Sequence, residues 1–208
     1  MEHVKIRKRP SQARSREKVQ KVLDAAAKLL IEQGIDSVTT PRIAEVSGVT
    51  VGSIYQYFPN KESILHELYQ WWLDGALEAY ATYSDAHQDV NCIKTYFAGL
   101  FRHYMVGKSE NEHRLSVELG TALRANKDLR QLDNLHDRRL GKAVRQDLVR
   151  LGVLPNAGKV SKVRSSRLAF FSATFLALMD MVSGSKPAQR SAFIDYAAEV
   201  IEGAALNI

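Results

Sequence analysis

Apolar residues recur every three to four positions along almost the whole 208-residue chain, the period of helices with one buried face. No stretch alternates apolar and polar residues for long, so the pattern predicts helices and no strand. The first predicted helix runs from Arg14 to Gln33, with Val19, Val22, Leu23, Ala26 and Leu30 on one face. Gly34 follows as its expected left-handed cap. Thr40 offers an N-cap hydroxyl ahead of Pro41, which suits a first helical position. It opens a short helix carrying Ile43, Ala44 and Val46, which stops at Ser47-Gly48. A third short helix spans Val51 to Tyr57 and is closed by Pro59, and Asn60 caps a fourth that reaches about Tyr83. Further helices are predicted near 90–106, 111–125, 127–151, 161–183 and 188–206. Turns fall at Gly107-Lys108-Ser109, Asn126, Gly152 to Gly158, and Ser183 to Pro187. The expectation is an all-α chain of about nine helices.

The most apolar run, Leu168 to Val182, is interrupted by Ser172, Thr174 and Asp180. Its 15 residues fall short of the ~20 that a spanning helix needs, so it predicts a buried helix and no membrane partner. The N-terminus has charges but no apolar core of a signal peptide. Cys92 is the sole cysteine, which excludes an intrachain disulfide and fits a reducing, cytoplasmic compartment.

Charge changes the picture further. The formal net charge is +6, and its position matters more than its size. Residues 1–21 carry eight basic side chains (Lys5, Arg7, Lys8, Arg9, Arg14, Arg16, Lys18, Lys21) against Glu2 and Glu17. The other 187 residues balance 21 basic groups against 21 acidic ones. A basic N-terminal block is suited to a polyanion, and a solvated tail is the alternative.

The stretch Thr39 to Lys61 combines two short helices joined by a turn containing Gly48, the arrangement of a helix-turn-helix whose second helix enters the major groove. Val51, Gly52 and Ser53 open that second helix, and all are weaker helix formers than alanine. A missing side chain at Gly52 lets a backbone approach another surface closely. Lys61 sits in the first turn of the next helix, where a cation opposes the helix dipole unless an anion lies there.

The segment Val49-Thr50-Val51-Gly52-Ser53-Ile54-Tyr55-Gln56-Tyr57-Phe58-Pro59-Asn60-Lys61-Glu62 resembles the signature of the TetR family of bacterial transcriptional regulators. Ile31-Glu32-Gln33-Gly34 and Thr39-Thr40 to Gly48 fit the same family, and the resemblance covers roughly residues 16–68. It implies a three-helix DNA-binding head on a helical body for ligand binding and dimerisation. A homodimer would then set two recognition helices in successive major grooves of a near-palindromic double-stranded operator. By the same resemblance Thr40, Thr50, Tyr57 and Lys61 hold phosphates, while Val51, Gly52, Ser53, Tyr55 and Gln56 face the groove. Ile43, Ala44, Val49, Ile54 and Phe58 back them as a small core. The family pattern usually has a polar or basic residue where Val51 stands. Valine suits a thymine methyl, and Gln56 suits an adenine edge. The expected organisation is a basic flexible arm over 1–13, the helix-turn-helix DNA-binding domain over 14–60 and a helical regulatory and dimerisation domain over 61–208.

The body is less informative. Phe171, Phe175, Leu178, Phe193, Tyr196, Val200 and Ile201 on the last two helices are the candidate dimer interface, because a helix apolar on all sides needs cover on both. Trp71, Trp72, Tyr96, Phe101, Tyr104, Glu118, Phe175 and Met179 are candidate contacts to a small-molecule effector. His66-Glu67 begins like a zinc-protease helix, but Gln70 replaces the second histidine, and the six histidines have no metal-ligand spacing. No catalytic residues, metal or cofactor are expected. The function expected is a ligand-responsive repressor; the alternative is an architectural or interaction protein whose body recruits a protein partner.

Overall fold

The computed structural model describes residues 6–105, 109–156 and 161–208, side chains at 123–125 and 180 aside. Lys5, the Gly107-Lys108 turn and the end of the Gly152–Gly158 stretch lie outside those residues. Among the described residues there are nine α-helices and no strand: α1 (Ala13–Gln33), α2 (Thr40–Ser47), α3 (Val51–Tyr57), α4 (Lys61–Ala86), α5 (Ile93–Met105), α6 (Glu110–Ala125), α7 (Lys127–Arg150), α8 (Lys162–Gly184) and α9 (Arg190–Leu206). Short 3-10 turns, Ile35–Ser37 and Pro187–Gln189, precede α2 and α9.

Two positions differ locally from the sequence expectation. Gly34 ends α1 at φ 76° and ψ 179°, which is not the left-handed helical basin but a region essentially reserved for glycine. Thr39, not Thr40, caps α2: its hydroxyl accepts from the Arg42 amide, while Thr40 is the first helical residue and is buried. The helix starts one residue early because Thr39 has the extended backbone of a cap and Pro41 is accommodated at the second position.

The chain divides into two compact units that do not follow the expected boundary at residue 60. The first comprises residues 1–75 and 109–135, the second residues 76–108 and 136–208, so α4 and α7 contribute to both. In the first, α1 packs on α2, α3 and α6, and its core joins Val22, Leu29 and Leu30 of α1 to Ile43, Ile54, Phe58, Ile64, Leu68 and Leu119. Arg114 of α6 donates to the Ile31 carbonyl (2.8 Å), and the Tyr69 hydroxyl donates to Asp133 (2.6 Å).

In the second unit α5 packs on α8 and α9, and α8 packs on α9. Phe97, Phe101, Phe171 and Phe175 meet edge-on or tilted in its core, 5.7–6.0 Å apart. Beside them lies a buried carboxylate, Asp147 on α7. It accepts from the hydroxyls of Tyr80 (2.6 Å), Tyr96 (2.7 Å) and Ser84 (2.9 Å), and Arg150 lies 3.4 Å away. Burial, ahead of the carboxylate's own charge, raises the Tyr80 phenol well above its ordinary range and pushes Tyr96 up to about 12. Both hydroxyls therefore stay protonated and donate. Gly99 fits the same corner, because a Cβ there would collide with the Tyr83 hydroxyl.

The span of α8 matches the expected helix near 161–183, but its cover departs from expectation. Its 23 residues, unlike the 15-residue apolar run taken alone, are enough by length and composition to cross a membrane. It is not buried all round: Phe171, Phe175, Leu178 and Val182 enter the core, whereas Val163, Phe170 and Met181 stand in solvent. The helix extends beyond the apolar run because Ser161 caps it by accepting from the Arg164 amide.

Removing the Asp147 carboxylate leaves the buried tyrosine hydroxyls without their acceptor. Asp147→Ala is expected to lower unfolding free energy by about 3–5 kcal/mol, the usual cost of breaking a buried charged cluster. Tyr80→Phe, which removes one donor only, should cost about 1 kcal/mol. Urea unfolding of both variants checks the ranking, and an Asp147→Ala protein as stable as the parent contradicts it.

Candidate nucleic-acid interface

The interface is built from three short stretches of backbone whose ends are individually capped. The α2–α3 turn is made by Gly48 at φ 67° and ψ 12°, a left-handed conformation that a side chain would strain. The Gly48 amide donates to the Ala44 carbonyl and so ends α2. Thr50 then caps α3: its hydroxyl accepts from the Ser53 amide (3.3 Å) and donates to the Ser53 hydroxyl (2.9 Å). Asn60 caps α4 through its side-chain oxygen, which accepts from the Ser63 amide (2.9 Å), while the Ser63 hydroxyl donates to the Asn60 carbonyl (2.6 Å).

These caps fix which way α3 faces. Ile54 and the following Phe58 are fully buried, with Ile43 and Val49 also buried and Ala44 and Tyr57 packed against the same cluster. The opposite face carries Val51, Gly52, Tyr55 and Gln56, all exposed, with Tyr55 at 43%. Residues one, two, five and six of a helix lie together on one side. A Cβ added at Gly52 would meet no atom within 4 Å, so the glycine leaves room outside the protein rather than within it. Thr50 is exposed at the helix start, Ser53 is half-buried and tied to Thr50, and Lys61 is half-buried in the first turn of α4. Thr40 is the exception: its burial under the α2 start removes it from the solvent-facing set.

A contributor that the sequence did not single out is Arg7. Its backbone amide donates to the Tyr57 carbonyl (2.7 Å) and its guanidinium to the Tyr55 carbonyl (3.3 Å). Ile6 packs against the core of the first unit. The end of the arm that was expected to be flexible is thus docked on α3. An isolated Ile in a basic block was the signal available for this.

The expected body sites are less coherent. Tyr96, Phe101, Tyr104 and Phe175 are buried in the core of the second unit, where Met179 is partly buried. Trp71, Trp72 and Glu118 belong to the first unit, so the eight candidate effector contacts do not form one group within either unit. Trp71 is 54% exposed and borders a groove of about 440 Å3 with Leu23, Lys28, Glu32, Arg114 and Leu115. Of the candidate dimer residues, Phe171, Phe175, Leu178 and Ile201 turn into their own core. Their helical register, not their hydrophobicity, decides this. Phe193 and Val200 are half-buried, and Tyr196 is 67% exposed.

Comparison with known proteins bears on the same stretch. Residues 22–68 match the family described as bacterial regulatory proteins, tetR family. The chain is 37% identical over 59 residues to the HTH-type transcriptional repressor KstR2 of Rhodococcus jostii (strain RHA1), a match covering 28% of this chain and 29% of that protein. It is 43% identical over 54 residues to the nucleoid occlusion factor SlmA of Haemophilus ducreyi, covering 26% of this chain and 27% of that one. The chain thus spans less than a third of the length of these relatives in what it matches. A TetR-family transcriptional regulator from Streptomyces coelicolor shares the fold with a TM-score of 0.61 at 19% identity, over 90% of this chain and 96% of that one.

Substitutions on the two faces of α3 should separate folding from recognition. Ile54→Ala is expected to destabilise the protein by about 2–5 kcal/mol. Gln56→Ala should change stability by less than about 0.5 kcal/mol and weaken binding to a preferred DNA site by about 1–3 kcal/mol. Thermal melts paired with fluorescence-anisotropy titrations distinguish these outcomes. Equal DNA affinity for Gln56→Ala and the parent would remove Gln56 from the interface.

Proposed function

We propose that the chain is a TetR-type repressor that grips a near-palindromic operator as a homodimer and is released by a small molecule, a reading supported by the match of residues 22–68 to the family described as bacterial regulatory proteins, tetR family. The Rhodococcus relative is named as a transcriptional repressor and a Bacillus subtilis relative as a regulator protein. The observation that carries the reading is the solvent-facing set Val51, Gly52, Tyr55 and Gln56, backed by Ile54 and Phe58. An exposed tyrosine and valine beside a bare glycine make a poor surface for water but a good one for base edges and sugar. Thr50, Tyr57 and Lys61 supply phosphate contacts around it.

The dimer seam in this reading is the outer face of α8 and α9. Val163, Phe170 and Met181 are 63%, 68% and 55% exposed, and Tyr196 and Leu206 are 67% and 72% exposed. Between the helices a groove of about 550 Å3 is lined by Arg167, Phe170, Thr174, Val200, Gly203 and Ala204. Contiguous apolar surface of that kind marks an interface, and a second copy supplies an identical, self-complementary face. Phe170 and Met181 thus replace the buried Phe171, Phe175, Leu178 and Ile201 as the α8 and α9 anchors, alongside Tyr196.

Release requires an effector that binds the non-operator conformation better, since equal affinity for both states shifts nothing. Trp71 and the mixed groove beside it are the exposed members of the effector set. The second reading is a DNA-bound architectural or interaction protein whose body recruits a protein partner, and what favours it is that one relative is named a nucleoid occlusion factor and not a transcriptional regulator.

Phe170→Glu with Tyr196→Glu puts charge into the seam without touching the head. The expected result is a monomer in analytical ultracentrifugation and at least a tenfold loss of affinity for a two-half-site duplex, with unchanged melting of the head. For the switch, an effector that weakens operator binding 100-fold must itself bind 100-fold more weakly to the operator complex, about 2.7 kcal/mol of coupling. Calorimetric titration with and without saturating operator measures both. Identical effector affinities would move the protein-recruitment reading ahead.

A further inference from the structure

The recognition helix is only seven residues long, so most of its carbonyls fall within the last four, which a helix leaves without internal partners. The Ile54 carbonyl is taken by the Phe58 amide (2.9 Å). The Tyr57 carbonyl is taken by the Arg7 amide (2.7 Å), and the Tyr55 carbonyl by the Arg7 guanidinium (3.3 Å). Basic side chains at a helix C-terminus satisfy these carbonyls and match the negative end of its dipole. Here the cation comes from 48 residues away in sequence, so the contact is tertiary and not an ordinary cap. Ile6 anchors the strap by packing on the core of the first unit, and Pro10 stiffens the chain before α1 begins at Ala13. Between the two anchors Lys8 and Arg9 are exposed, and residues 3–16 hold no acidic side chain.

We propose that residues 6–9 form a strap in which Arg7 is a positioning residue for the recognition helix and Lys8 and Arg9 are contacts to the phosphate backbone bordering the groove that α3 enters. The two roles are physically distinct. Arg7 directs its donors to protein carbonyls, so its effect on DNA passes through the angle and rigidity of α3, and hence through Tyr55 and Gln56. Lys8 and Arg9 act by counterion release, which is indifferent to base sequence. This inference rests on the reading of α3 as the recognition helix.

The test uses the full chain and a duplex selected by it from a random-sequence pool, with an unselected duplex of equal length as the non-specific probe. Lys8→Ala with Arg9→Ala should weaken binding to both duplexes by the same factor. It should also flatten the slope of log K against log salt by about 0.9 for each phosphate that is no longer neutralised. Arg7→Ala should lower the ratio of selected to unselected affinity at least tenfold while leaving non-specific binding and its salt slope unchanged. It should also speed amide exchange at Tyr57 and Phe58. Arg7→Lys, which keeps a cation at the carbonyls, should restore most of the ratio, and it carries the test if Arg7→Ala melts the head. An unchanged ratio in Arg7→Ala with the fold intact overturns the positioning role. An equal loss on both duplexes makes Arg7 a plain phosphate contact and overturns it too. An unchanged salt slope in the Lys8 and Arg9 double variant overturns the phosphate role. If the parent chain itself selects no sequence from the pool, it is the DNA-recognition reading that fails, and the strap with it.

Discussion

A helix of seven residues cannot hold its own shape in water, because nucleation costs more than so few internal hydrogen bonds return. The arrangement around α3 answers that constraint. Thr50 closes its N-terminus, Ile54 and Phe58 clamp one face to the core, and Arg7 closes its C-terminus. Each support acts on the protein side, which leaves Val51, Gly52, Tyr55 and Gln56 free on the other. Rigidity is supplied from behind so that the front need not contribute to stability. That division explains why weak helix formers are tolerated at the start of α3: their cost of up to about 1 kcal/mol for glycine is offset by tertiary contacts.

The second unit solves a different problem, that of holding α4, α5 and α7 in one register when their contacts are mostly apolar and therefore non-directional. Asp147 is the directional element. Its carboxylate collects donors from Tyr80 and Ser84 on α4 and Tyr96 on α5, while Arg150 reaches on to the Gln88 and Val90 carbonyls of the α4–α5 connection. The guanidinium also lies 4.8 Å over the Tyr96 ring. Desolvating a carboxylate is costly, and an apolar residue of similar volume would often serve stability as well. What an apolar residue cannot do is reject a one-turn slip, since any slip strands buried hydroxyls.

Much of this was legible in the residues. Helical periodicity located the nine described helices to within a few residues, and the motif from Thr39 to Lys61 placed Ile54 and Phe58 on the buried side of α3, because local caps and spacing fix short elements. What escaped was whatever depends on register between distant segments. Thr39 and Thr40 are chemically equivalent as caps, and only the backbone angle of Thr39 chose between them. Arg7 looked like one more cation in a basic block, since nothing local ties it to Tyr55 and Tyr57. Asp147 drew no notice in the sequence, although it stands between Val144 and Leu148 on the buried stripe of α7. On α8 the hydrophobic residues were plain, but their abundance on every side hid which of them faced inward.

The two faces of α8 differ in texture, and that difference bears on what the outer one meets. Inward, Phe171, Phe175, Leu178 and Val182 are uniformly large and branched or aromatic, as close packing against α5 and α9 demands. Outward, at intervals of three and four, come Val163, Arg167, Phe170, Thr174, Ala177 and Met181. Large residues alternate there with small or polar ones, and on α9 the exposed Tyr196 and Leu206 similarly flank Gly203. A lipid surface imposes no such alternation, and clustered exposed apolar side chains such as Phe170 and Met181 are uncommon on a surface that meets only water. A second helix pair does impose it, because protruding side chains must enter gaps opposite. Arg167 at the centre of that face is tolerable against a protein, whose carbonyls can accept from its guanidinium, and expensive in hydrocarbon. In the proposed homodimer that face would meet the same face of a second copy related by a two-fold axis.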